Sequence, residues 1–186
     1  MTISHKNVRI LVERRVIFVS TPIEIERKFV IEMPDTSALS MLEGYTASDI
    51  DQTYLSSRPH VTRRVRARKY RDRTVYTETK KVRIDKMSAF EDERELTEDE
   101  YSTLLGDIAP GTVTLHKTRH TFPWCERIIE IDVYPNWQRS CILEVELSSM
   151  QEEIILPDFI KVIAEVTGDK RYSNASMSRE FPYELI

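Results

Sequence analysis

Apolar and polar residues alternate with a period of two over much of this chain, in the stretches 22–32, 51–56, 61–70, 74–83, 90–96, 113–122, 126–134 and 141–148. Alternation at period two is the mark of a strand with two unlike faces, so the pattern predicts eight strands. Most follow one another through short connections, with no helix long enough to cross between every pair. The predicted sheet is therefore largely antiparallel.

Helical signals are fewer. Thr97 and Glu100 form a capping box ahead of Tyr101, Leu104 and Leu105, with Gly106 placed for a left-handed C-terminal residue. Asp35 after Pro34, together with Gly44, brackets a shorter helix. Pro157 followed by Phe159, Ile160, Ile163 and Val166 at helical spacing, stopped by Gly168, predicts a third. The polar stretch "DKRYSNASMSREF" after it adds a helical turn or two.

Sorting each strand by parity separates charge from apolar bulk. In "PIEIERKFVIE", Glu24, Glu26 and Lys28 share one face and Ile23, Ile25 and Phe29 the other, with Arg27 an exception. Arg64, Arg66 and Arg68 share a face, as do Glu91, Glu93 and Glu95, Glu130 and Asp132, and Glu144 and Glu146. Two strands are less clean. Lys117 and Arg119 oppose His116, Thr118 and His120, while Thr77, Thr79, Lys81 and Arg83 oppose Tyr76, Glu78 and Lys80.

For any single strand the ordinary explanation is a solvated outer face. The alternative is a closed barrel whose apolar faces meet helices outside and whose charged faces line a tunnel. An unpaired buried ion costs several kcal/mol, so such a tunnel must hold opposite charges, metal ions or a charged ligand. The coexistence of acidic and basic rows meets that requirement.

Composition narrows the function. The chain has 186 residues, is 40% hydrophobic and carries a formal net charge of -4, which suits one domain with its own core and argues against a surface that is wholly a nucleic-acid footprint. The basic run "RRVRARKYRDR" reads as a solvated hairpin rather than a nucleic-acid contact. Two cysteines, Cys125 and Cys141, without a C-x-x-C pair, and four histidines without zinc spacing, imply a reduced, cytoplasmic protein. The N-terminal run "VRILVERRVIFVS" is broken by Glu13, Arg14 and Arg15, so no membrane segment is expected. Residues 1–20 are set aside as an extension of unknown role, and 21–186 form the domain. With only four glycines, no Walker or G-x-G-x-x-G loop exists, and a bound phosphate must be met by side chains.

The ordered motifs "EIERK", "QTYL", "RVR", "TKK", "ERE", "KTR", "EIDV", "EVE" and "EVTGDKRYSN" resemble the CYTH domain, also called the triphosphate tunnel metalloenzyme family, and within it the compact bacterial inorganic triphosphatases. The resemblance implies an α+β fold: a closed eight-stranded antiparallel barrel with a charged lumen, helices outside and a C-terminal helix near one mouth. It also implies hydrolysis of a triphosphate with Mg2+ or Mn2+, and tripolyphosphate is the leading substrate. By the resemblance, Lys28, Arg64, Arg66, Lys81, Lys117 and Arg119 clamp phosphate oxygens, with Lys170 and Arg171 near the mouth. Glu24, Glu26, Glu144 and Glu146 are the first candidate metal ligands, and Glu93, Glu95, Glu130 and Asp132 bind metal or orient the bases. Tyr54 and Lys81 are the catalytic pair, with Lys81 expected to lower the tyrosine pKa for proton abstraction from water.

Glu91 stands where compact members often carry an arginine, so one basic contact is expected to be missing or moved, and the register of Arg66 against Arg68 and of Lys81 against Lys80 stays open. The alternatives are a class IV adenylate cyclase, a thiamine or nucleoside triphosphatase, and a non-catalytic polyphosphate or nucleotide sensor. Outward isoleucines suit a homodimer as well as a helix cover.

Overall fold

The structure, a computed structural model, describes residues 8–12, 15–19, 23–149 and 151–186, with side chains from Glu24 onward. Strand β1 (Val8–Val12) pairs with β2 (Arg15–Val19) in a separate two-stranded sheet. The rest of the segment 1–20, and with it the question of its role, lies outside the described residues.

All eight predicted strands are present: β3 (Ile23–Glu32), β4 (Thr46–Leu55), β5 (Thr62–Lys69), β6 (Thr74–Arg83), β7 (Ser88–Leu96), β8 (Leu115–Trp124), β9 (Arg127–Val133) and β10 (Ser140–Glu146). They are hydrogen-bonded in the order β10-β9-β8-β4-β5-β6-β7-β3, and β3 pairs back onto β10, closing an antiparallel barrel. The largest boundary difference is β4, whose opening "TASD" carries no apolar alternation yet pairs along its length with β8, and with β5 from Asp49 onward.

Closure is uneven. Strand β7 pairs with β3 only from Ile23 to Ile25, and farther along the same edge of β3 a ninth strand, β11 (Val162–Glu165), takes over opposite Phe29 to Ile31. This corrects the expected helix after Pro157. The edge of β3 would otherwise leave backbone donors and acceptors unpaired in a packed region. The segment meets them with Glu32 N donating to Lys161 O at 2.9 Å and Val166 N donating to Lys28 O at 2.9 Å. Arg27, the parity exception, faces out and forks onto Glu165 of β11 at 2.7 and 2.8 Å.

The helices lie outside. In α1 (Thr36–Leu39) the Asp35 carboxylate accepts from Ser37 N and Ala38 N, and buried Leu39 joins Phe29, Ile31, Phe122, Ile131 and Leu143 on the outer face of β3, β8, β9 and β10. In α2 (Glu98–Leu104) the Thr97–Glu100 capping box is complete, and Tyr101 and Leu104 cover Leu55, Val65 and Leu96. Gly106 does not terminate it in a left-handed conformation; the chain tightens into a 3-10 turn, Leu105–Asp107. At the C-terminus a 3-10 turn (Lys170–Tyr172) and α3 (Asn174–Met177) supply the helical turn or two expected of the last polar stretch.

Those C-terminal turns reach the barrel interior. Val30, Leu115, Tyr134 and Ile142 point inward at one end, where Tyr172, Met177 and Phe181 pack on them, so the lumen is apolar at that end and charged beyond it. The segment is tied down by Tyr134 OH donating to Asn174 Oδ1 at 2.6 Å and by Trp137 Nε1 donating to the Pro182 carbonyl at 3.0 Å.

Candidate active site

Strand parity places the charged rows inside. Glu24, Glu26, Lys28, Tyr54, Arg64, Arg66, Lys81, Glu93, Arg119, Glu130, Glu144 and Glu146 all line one lumen cavity of about 1150 Å³, with Lys170 at its rim. The ambiguous strand resolves with Thr79, Lys81 and Arg83 on the lumen side, while Lys80 is exposed. Lys117 and Arg119 point in; His116 meets Asp51 on the outer surface and His120 bonds Tyr45.

The charges fall into two groups. One is a buried, self-neutralised cluster. Lys117 Nζ sits 2.5 Å from Asp132, and both side chains are 0% exposed. Arg119 reaches Asp132 at 2.6 and 2.7 Å, Glu144 at 2.7 Å, and Glu130. Glu144 also pairs with Lys28 at 2.7 Å. Burial opposes ionisation of Glu144, but Lys28 and Arg119 win and hold its carboxyl well below the usual range. Burial pulls Lys117 down to about 8 despite Asp132, with Arg119 and Arg66 adding to the effect. Lys117 and Asp132 lie behind the cavity wall, and Arg119 has carboxylates on all three nitrogens. Lys117 and Asp132 are thus closed off from the cavity, with Asp132 orienting both bases, one of the two roles expected of it, while Arg119 and Glu144 line the cavity already engaged with each other.

The other group is only partly neutralised. Among the described residues Arg66 is bonded only to the side-chain oxygen of Gln52, at 3.2 and 3.4 Å, and burial together with Arg64 and Arg119 lowers it to about 10. Arg64 pairs with Glu91 at 3.3 Å through one terminal nitrogen, while its buried Nε has no hydrogen-bond partner among the described residues. On the facing wall, Glu26 and Glu146 are directly opposed across β3 and β10, and neither makes an ion pair among the described residues. Burial, then Glu91, raises Glu24 to about 7 in spite of Lys81 at 3.4 Å. Burial and the neighbouring Glu130 and Glu26 raise Glu146 as well.

Tyr54 departs from its expected setting. Its hydroxyl accepts from Gln52 Nε2 at 2.9 Å and lies in register with Arg64, whereas the Lys81 ammonium is held by Glu24 and Glu91. Burial raises the phenol pKa, outweighing Arg64, Arg66 and Lys28. Glu95 is exposed and outside the main cavity, lining a smaller one beyond it.

Three contributors had no assigned role from sequence. Gln52, 0% exposed, links Arg66 to Tyr54, and its inward position was readable from its shared parity with Tyr54. Glu91 pairs with both Arg64 and Lys81, so the position expected to cost a basic contact instead anchors two. Arg68 completes the inward arginine row.

Among the described residues no three His, Cys, Asp or Glu side chains are already gathered as a metal cage. The donor set nonetheless suits a hard cation: Glu26 and Glu146 are opposed carboxylates in need of positive charge, and Mg2+ is commonly held by one or two carboxylates together with substrate phosphates.

No protein-family model matches the chain, and no curated protein does. Solved structures do. An inorganic triphosphatase structure shares 26% identity, the match covering 86% of this chain and 97% of that one with a TM-score of 0.55. A protein of Pyrococcus horikoshii OT3 shares the fold at 17% identity, covering 68% of this chain and 80% of the other with a TM-score of 0.52.

Proposed function

Since this chain carries the fold of the triphosphate tunnel (CYTH) family, we propose that it is a divalent-metal-dependent triphosphatase that hydrolyses inorganic tripolyphosphate to pyrophosphate and phosphate. The observation that carries this reading is the pair of unmatched charges facing each other across the lumen. Among the described residues Arg66 has no carboxylate partner and Arg64 meets Glu91 through one terminal nitrogen with its Nε unpartnered, while Glu26 and Glu146 on the facing wall make no ion pair. A phosphate chain against the arginines and a divalent cation against the carboxylates complete both at once.

In this account Arg64, Arg66 and Lys81 hold the phosphate oxygens, and the carboxylates of Glu26 and Glu146, with Glu24 beside them, hold the cation. When bound, the cation offsets charge on the phosphoryl group and fixes its orientation. Water forms the new bond to the terminal phosphorus, the bridging bond breaks, pyrophosphate leaves with the bridging oxygen, and the water's protons stay on the orthophosphate formed until one passes to solvent. Tyr54, kept protonated by burial, donates a hydrogen bond and orients substrate without taking the water's proton. The Lys117–Asp132–Arg119–Glu144 cluster fixes Lys28 and the β10 acids in place. The inorganic triphosphatase similarity supports the same reading.

Phosphate release from tripolyphosphate, ATP and thiamine triphosphate, each with magnesium, manganese or chelator, tests it. Metal-dependent release with tripolyphosphate preferred is the expected result. Cyclic AMP formation from ATP would favour the cyclase reading, and tight tripolyphosphate binding without turnover the sensor.

A further inference from the structure

Beyond the main cavity, the same inward rows continue into a second one of about 380 Å³. Arg66, Arg68 and Glu93 line both, so the two spaces share a wall. The strand registers show a repeat. Arg64, Thr79 and Glu93 lie side by side on β5, β6 and β7, and one step along the barrel Arg66, Thr77 and Glu95 do the same. Each step advances two residues, roughly 7 Å along the strands. An arginine–threonine–glutamate level that recurs along a channel matches a ligand whose own charge recurs.

Arg68 stands at the next step. Its Nε donates to the buried Ser48 hydroxyl at 2.8 Å, and its guanidinium lies 5.2 Å from the Tyr70 ring centroid. It has no ion pair among the described residues. An arginine held by its Nε and stacked on an aromatic ring keeps its terminal nitrogens for an anion, with little side-chain freedom left to lose on binding.

We propose that the second cavity is a distal subsite for the far end of a linear polyphosphate longer than three phosphates, with Arg68 as its anion contact. This rests on the triphosphatase reading of the main cavity and extends it to chain length. Glu93 and Glu95 face the arginines across β6, so a chain passing through would travel with its own divalent counter-ions.

The test compares wild-type kcat/KM and calorimetric Kd for linear tripolyphosphate and tetrapolyphosphate with magnesium, then repeats both for Arg68→Gln and Arg68→Lys. Wild type is expected to favour the longer chain about tenfold, with that ratio falling toward one in Arg68→Gln and partly restored in Arg68→Lys. Equal or weaker use of tetrapolyphosphate by wild type overturns the subsite whether or not the variants fold, and so does a preference that Arg68→Gln leaves intact. If neither chain is hydrolysed, the triphosphatase reading fails, while the Kd comparison still decides the subsite.

Discussion

Glu26 and Glu146 are cross-strand neighbours whose carboxylates both line the lumen, without an ion pair among the described residues. Like charges directly opposed on a sheet destabilise it by about 0.2–1 kcal/mol. Glu146→Gln should therefore raise the melting temperature of metal-free protein slightly and largely remove the stabilisation that manganese gives to wild type. Thermal melts with chelator and with manganese check both parts; a variant that gains as much from manganese as wild type would place the cation elsewhere.

Asp132 neutralises two buried cations, Lys117 and Arg119. Replacing it with alanine leaves Lys117 and Arg119 facing each other without their shared partner. Breaking a buried pair of this kind costs about 3–5 kcal/mol. Chemical denaturation of Asp132→Ala should show a loss of that order, and a loss under about 1 kcal/mol would mean the cluster is solvated.

Tyr54 distinguishes orientation from proton abstraction. With the phenol held protonated, Tyr54→Phe should lower kcat by less than about tenfold and leave the shape of the pH–rate profile unchanged. A collapse of turnover with loss of the alkaline limb would restore tyrosine as the base.

Much of this site was legible because a strand sorts its side chains by parity, and a closed barrel gives that parity one meaning: in or out. Glu24, Glu26, Lys28, Arg64 and Arg66 could be grouped from the sequence for that reason. Which acid answers which base could not, since Glu144 meets Lys28 and Arg119 across registers more than a hundred and about twenty-five positions apart along the chain. The same holds for Tyr54, whose cross-strand neighbour Arg64 is set by the β4–β5 register. The segment after Pro157 misled because its apolar spacing fits a helix, while the open edge of β3 and the β-branched Val162 and Ile163 favoured a strand.

Histidine 120 supplies a pH dependence of stability apart from the charged lumen. Burial lowers its pKa below 6.5, against Asp132 and Asp49, and it shares a 2.7 Å bond with Tyr45. A histidine whose folded pKa is depressed takes up its proton more readily when unfolded, so stability should fall as pH drops from about 7 toward 5. Urea unfolding at pH 7 and pH 5.5 measures the loss, and His120→Asn should reduce it.

The central claim is that one lumen joins a phosphate chain on the arginine wall to a cation on the facing carboxylates. Crystals grown with tripolyphosphate and manganese, measured at the manganese absorption edge, test it most directly. The account predicts an anomalous peak at coordination distance from Glu26 or Glu146, with phosphate density running past Arg64 and Arg66. Manganese and phosphate bound only outside the barrel would contradict it.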